Sequence, residues 1–407
     1  MSRFGSARSV GAMLALLLTV SGVVHAQPAV DGRKLTVGEG GVLLHDGVPF
    51  RAIGVNYVPE FDGTTTRKPR FAALAAHGIP FARFIATGFY PSQLAEYETH
   101  REVYLGVLDE IVAAAEESGI GLIPSLFWHT SAVPDLVGEP RNQWGNPDSE
   151  TIGFMRRYTR DIVSRYRDSP AIWAWEFGNE YSLAVDLPNA AEHRPRILPT
   201  LGTPSVRGPD DDLTTDMVAA AFEEFAKVVR SLDPTRPITP GNAAPRPHAE
   251  SMRLGAGWGE LDSRAEFMAS IGLVTPSPHD MVSVHVYEDE IRFAPDHRAS
   301  VAEVVGLAAE ASRRQGKALF VGEFGVDDFA EGGPERAEVR FAAMLQALVE
   351  HDVALAAVWV YDYDVSDQPS RAGWNITASN SRKYMLEAIQ RANEGISSMA
   401  HEQPVEP

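Results

Sequence analysis

Ala171-Ile-Trp-Ala-Trp-Glu-Phe-Gly-Asn-Glu180 and Ala318-Leu-Phe-Val-Gly-Glu323-Phe-Gly325 are apolar, β-favouring runs that break into glycine-flanked loops with a glutamate at the break. Outward from them, strand-like and helix-like patterns alternate along the chain. Strands are predicted at 50–56, 81–86, 121–127, 172–177, 237–240, 281–287, 318–323 and 356–361. Helices are predicted at 68–77, 101–118, 150–167, 215–232, 264–271, 301–315, 334–351 and 381–393. Such alternation gives parallel strands joined by right-handed helical crossovers. Eight units close into a (β/α)8 TIM barrel more readily than into an open doubly wound sheet. The run 33–47 adds a short N-terminal β-hairpin with glycine turn chemistry. Ser300 with Glu303 reads as a capping box, Gly316 as a helix stop, and Pro170 and Pro234 as the ends of two other helices.

Residues 1–26 read as a secretory signal peptide, with Arg3 and Arg8, an apolar run through Met13 to Val20, and Val24-His-Ala26 as the cleavage site. The expected organisation is then one catalytic barrel over 27–395 and a flexible tail at 396–407. The early apolar run is too short to span a bilayer, and no later segment approaches the ~20 apolar residues a spanning helix needs. The expectation is an exported chain, secreted or periplasmic, monomeric and with no membrane partner. With no cysteine, disulfides, thiolate metal sites and cysteine nucleophiles are excluded. The formal net charge is −19, and removing two arginines with the signal makes it −21. Basic residues are outnumbered 55 to 36 and dispersed, so no nucleic-acid partner is expected and a neutral substrate fits better.

Polar residues gather at the C-terminal ends of the strands, where a barrel builds its active site. They are Arg83, His129, Asn179, Glu180, His285, Tyr287, Glu323 and Trp359. Two carboxylates at separate strand ends suit glycosidic bond cleavage, one protonating the leaving oxygen while the other attacks the sugar. Glu180 fits the acid/base, which needs a raised pKa, and Glu323 the nucleophile, kept ionised by donors such as Arg83 and Tyr287. Asn179 can donate to a sugar hydroxyl, and Trp359 offers a flat apolar face. The stretches 181–212, with five prolines, and 241–263 follow strands and are expected to shape the substrate cleft. Trp128, Trp173 and Trp175 read as packing residues. Trp144, Trp258 and Trp374 are candidates for sugar subsites or plain loop anchors, and Pro209-Asp-Asp-Asp212 reads as a solvated loop and helix entry.

Taken together, these residues resemble glycoside hydrolase family 5, within the clan of (β/α)8 retaining glycosidases. The likeness runs from about Leu35 to Asn393 and includes the opening Pro49-Phe-Arg-Ala-Ile-Gly-Val-Asn-Tyr57. The family's arginine on the second strand, histidine after the third, Asn-Glu after the fourth, His-x-Tyr on the sixth, glutamate on the seventh and tryptophan on the eighth fall on Arg83, His129, Asn179-Glu180, His285-Val-Tyr287, Glu323 and Trp359. Many members continue Asn-Glu with proline, whereas here Tyr181 follows and a long insertion begins. The resemblance implies a retaining hydrolase of β-linked glycans, an endo-acting mannanase or glucanase, with a polysaccharide partner and no metal or organic cofactor. Two alternatives stand beside it. A carbohydrate-binding barrel without turnover would lack a glutamate or Asn179, and none is missing. A metal-dependent hydrolase would use His129 and His285, without a His-Glu-x-x-His helix to support it. No Gly-x-Ser-x-Gly elbow, Gly-x-Gly-x-x-Gly or phosphate-binding loop is present.

Overall fold

The computed structural model describes residues 29–58, 67–288, 291–330, 332–363 and 371–402. Eight strands pair in parallel: β1 (Ala52–Tyr57), β2 (Phe81–Ile85), β3 (Gly121–Phe127), β4 (Trp175–Gly178), β5 (Ile238–Thr239), β6 (Met281–Val286), β7 (Ala318–Phe324) and β8 (Leu355–Tyr361). Their order is β5-β4-β3-β2-β1-β8-β7-β6. The free edges meet where the Asp280 N–H donates to the Ile238 carbonyl at 3.1 Å and that of Ala244 to His285 at 3.3 Å. The sheet is a nearly closed barrel, as expected. Its strands are buried almost throughout, because one side of each faces the interior and the other the helices.

The surrounding helices are α1 (Arg67–Ala76), α2 (Arg101–Ser118), α3 (Glu150–Tyr166), α4 (Thr215–Leu232), α5 (Arg264–Leu273), α6 (Val301–Arg314), α7 (Gly333–Glu350) and α8 (Tyr384–Glu402). Ser149, Thr214, Ser263 and Ser300 each accept from a backbone N–H three residues on, satisfying donors that a helix start leaves free. The expected box at Ser300 is only half formed. Glu303 turns its carboxylate to Arg264 and His297 instead of back to Ser300. The complete box is Ser263 with Glu266. A helix at Pro91–Thr99 was not anticipated, although Pro91 stands at its first position.

The N-terminal hairpin has a third strand: Leu35–Val37, Leu43–His45 and Val48–Pro49 form an antiparallel sheet. Leu35 and Leu43 pack with Ala52, Phe81, Trp173, Met281 and Phe320 at the strands' N-terminal ends, sealing that end of the barrel. Helix α8 runs through Gly395 to Glu402, because Ile396 continues its apolar face and is buried. Residues 403–407 and the signal peptide expected at 1–26 lie outside the described residues. Among the described residues no helix is long and apolar enough to cross a membrane.

Candidate active site

Asn56 near the end of β1 and Arg83 in the middle of β2 are register partners, and both point inward. Arg83 is fully buried, so its guanidinium must find acceptors within the protein. It donates through Nε to Glu176 at 2.8 and 3.1 Å, through Nη1 to Asn56 at 3.0 Å and Glu323 at 2.9 Å, and through Nη2 to Asn179 at 2.8 Å. One cation thus ties together side chains from β1, β2, the end of β4, and β7. Asn56 donates to the Gly322 and Ala357 carbonyls at 2.9 and 3.0 Å, stitching β1 to β7 and β8.

Glu323 is buried, and each oxygen has its own donor: Oε1 faces Arg83 and Oε2 accepts from the Tyr287 hydroxyl at 2.8 Å. Burial and the Glu323 charge push the Tyr287 phenol well above its ordinary range, so it remains a donor. The register between β7 and β6 shifts between Val321 and Glu323, and after this irregularity Glu323 is paired with His285.

Glu180 sits just past β4 in the left-handed region, with φ 54° and ψ 30°, uncommon for a residue with a side chain. Its N–H donates to the Gly241 carbonyl at 2.9 Å, which holds the turn. His285 Nδ1 lies 2.9 Å from Glu180 Oε1 and 3.6 Å from Glu323 Oε1. Burial lowers the His285 pKa to about 3, so the ring is neutral at ordinary pH. Its Nε2 is buried without a partner, which favours the tautomer whose Nδ1–H donates to Glu180. Burial raises the Glu180 pKa above the ordinary carboxylate value, against the lowering charges of Arg83 and Arg246.

Atoms of Glu180, His285 and Glu323 lie within 4.8 Å of one another, a donor set that could take a cation. Both Glu323 oxygens already face donors, and the adjacent guanidinium repels a second positive charge. His129 is not part of this group. It stands at the rim against Phe89 and Tyr90, 5.3 and 5.9 Å between ring centroids, so it does not converge with His285 as the metal reading required.

Trp359 in β8 stacks on Trp128 with centroids 6.3 Å apart and planes at 22°. The Arg83 guanidinium lies over the Trp128 ring at 4.8 Å. Trp128 is therefore a layer of the site and more than packing, and with Glu176 and Asn56 it was missed in the sequence. An acid inside the apolar run 171–177 was the one visible signal for Glu176. Trp173 and Trp175 are buried packing residues, as read. Trp144 lines no subsite. It is fully buried, donates to the Thr130 carbonyl at 2.7 Å and meets Phe127, Phe177 and Tyr181 edge-on. Trp258 is exposed beside His248, and Trp374 stands edge-on to Tyr287. The insertion after β4 folds toward the segment after β3, where Arg207 pairs with Asp135 at 2.6 Å and Asp211 at 3.2 Å. Asp211 is buried in that contact, not solvated as expected.

Residues 45–365 match the model of the cellulase family, glycosyl hydrolase family 5. Over 140 residues the chain is 29% identical to mannan endo-1,4-beta-mannosidase F of Aspergillus clavatus, covering 33% of this chain and 26% of that protein. Over 79 residues it is 37% identical to mannan endo-1,4-beta-mannosidase A of Podospora anserina, covering 18% and 21%. The match thus spans about a quarter of these curated relatives' length or less. In three dimensions the chain is similar to an endo-1,4-beta-mannanase of Rhizomucor miehei, with TM-score 0.63 and 17% identity over 89% of this chain and 99% of that one. An endoglucanase of Pseudomonas stutzeri gives TM-score 0.54 and 16% identity over 88% and 97%. At such identities these neighbours speak for the barrel alone.

Proposed function

Because the chain belongs to the cellulase family, glycosyl hydrolase family 5, we propose that it hydrolyses a β-1,4-linked glycan, a mannan before a glucan, with retention of anomeric configuration. The observation that carries this reading is the closeness of the two carboxylates. One oxygen of Glu180 and one of Glu323 lie within 4.8 Å of each other, which fits the ~5–5.5 Å carboxyl separation of retention better than the ~6.5–9.5 Å that leaves room for a water in inversion.

In the first step a Glu323 oxygen bonds to the anomeric carbon, the glycosidic C–O bond breaks, and Glu180 gives its proton to the departing oxygen. Water then attacks the glycosyl ester, Glu180 takes the water proton, and Glu323 leaves as carboxylate. The two environments are matched to these roles. Arg83 and Tyr287 both donate to Glu323, while burial favours protonated Glu180. Asn179, whose oxygen is held by Arg83, would donate to a sugar hydroxyl, and Trp359 would lie under the ring. Mannan is put before glucan because the curated relatives are named mannan endo-1,4-beta-mannosidases, which also favours endo action. The basic, apolar, small-residue order of 1–26 supports export to the periplasm or beyond.

Proton NMR of fresh hydrolysate from a linear β-1,4-mannan tests the mechanism. The β-anomer should appear first and mutarotate later; initial α-anomer overturns the assignment. Glu323→Ala should lose turnover while melting like the parent, and retained turnover would remove Glu323 from the reaction.

A further inference from the structure

Glu176 is a buried carboxylate that the two catalytic steps leave idle. It has no solvent exposure, and its register partners on β3 and β5, Ser125 and Thr239, are uncharged and equally buried. Burial raises its pKa, and the cation that opposes this is Arg83, whose Nε donates to both carboxylate oxygens. The surroundings are tight as well as dry: a Cβ on Gly241 would fall 2.8 Å from Glu176 Cδ. A charge held so deep in the barrel calls for a use that a neutral side chain would not serve.

That use follows from the charges around the guanidinium. Arg83 donates to the amides of Asn56 and Asn179 and to the carboxylates of Glu176 and Glu323. When Glu323 bonds to the anomeric carbon it becomes an ester, and its negative charge is gone. The proton given up by Glu180 leaves a negative charge there, but Glu180 bonds to neutral His285 and not to Arg83. Of the groups that accept from the guanidinium, Glu176 alone then carries charge. A buried cation with only neutral partners is strongly disfavoured. The charges of Glu176 and Glu323 also repel each other, and ester formation removes that repulsion. We propose that Glu176 is a positioning residue for the covalent intermediate: acting through Arg83, it keeps the guanidinium neutralised while Glu323 is esterified, and so favours formation of the glycosyl ester over its hydrolysis. The inference rests on the glycosidase reading above.

A 2-deoxy-2-fluoro-β-mannobiosyl fluoride separates the two steps, because fluoride departs without a proton from Glu180 and the ring fluorine slows hydrolysis of the ester. Intact mass gives the rate at which the glycosyl group appears on the enzyme, and peptide mapping places it on Glu323. Removing excess reagent then gives the rate at which water releases it. Glu176→Gln, which keeps the shape and removes the charge, should slow formation by about tenfold or more while release stays as fast as in the parent or faster. Glu176→Asp keeps the charge, so its ratio of formation to release should stay near the parent's, a comparison that holds even where the glutamine variant does not fold. A glutamine variant that slows both steps equally or neither, or an aspartate variant whose ratio falls as well, overturns the proposal. If the parent forms no ester on Glu323 from this reagent or its glucose counterpart, the glycosidase reading falls and this inference with it. If the parent forms it and the variants depart from these expectations, only the role of Glu176 falls.

Discussion

Arg83 reaches Glu176, Asn56, Asn179 and Glu323 from a position with no solvent exposure, and a guanidinium keeps its proton at any working pH. Two cations, Arg83 and Arg246, act on Glu180 against the burial that raises its pKa. Arg246 is anchored to the Leu183 carbonyl at 2.8 Å, on the segment that follows Glu180. Its positive charge favours ionised Glu180, so Arg246→Ala should raise the Glu180 pKa further. Since the first step needs the protonated acid, the alkaline limb of kcat/KM should move to higher pH, and Arg246→Lys should restore it. A limb that stays or moves down would show that Arg246 does not act on the acid. The positions of Glu180 and Glu323 were legible because each sits at or near a strand end of known direction, and that of Arg83 because it is a cation inside an apolar strand. Glu176 was not, because its role exists only through Arg83, 93 residues away, a partner no local pattern announces.

At the scale of elements, the turn after β4 and the turn after β5 support each other. Gly241 has φ +77°, and a Cβ there would lie 1.9 Å from the Gly178 carbonyl and 2.8 Å from Cδ of Glu176. Its own carbonyl holds the Glu180 N–H. Gly241→Ala combines an unfavourable φ with a clash against β4 and should cost about 1–3 kcal/mol in urea unfolding. It should also lower turnover, because the backbone carrying Glu180 must shift. Full activity in a destabilised variant would mean that the Gly241 contact does not aim the acid. Element existence was readable from alternation of pattern, and the ranges of α2 and α4 agree to the residue. The start of β4 was not. Ile172 makes an isolated parallel bridge to Leu122, but the continuous strand begins at Trp175, and the Ile172 carbonyl is taken by the Arg236 guanidinium at 2.8 Å, a side chain whose reach across loops leaves no mark on periodicity. Sequence offered Trp144 equally as subsite or loop anchor for a similar reason: polar neighbours in sequence hid a ring that the fold buries among aromatics.

For the whole molecule, the two ends of the barrel carry different burdens. The N-terminal ends of the strands are closed by an apolar plug, whereas the C-terminal ends converge on paired charges and hydrogen-bonded donors. A barrel that separates stability from chemistry in this way should respond differently to substitution at each end. Trp173 is the sharpest probe of the plug. It is 1% exposed, its ring meets Phe50 edge-on at 5.4 Å and Phe81 at 5.3 Å, and its Nε1 donates to the Val30 carbonyl at 3.3 Å. Trp173→Ala removes those contacts and opens a cavity, which should cost ~3–5 kcal/mol. None of its partners belongs to the site, so kcat and KM, measured well below the lowered unfolding transition, should match the parent. Denaturation curves and steady-state kinetics on the same preparation check both halves. A change in KM or kcat without loss of folded protein would mean that the plug and the catalytic mouth are coupled through the strands, and that the interior of the barrel transmits strain from one end to the other.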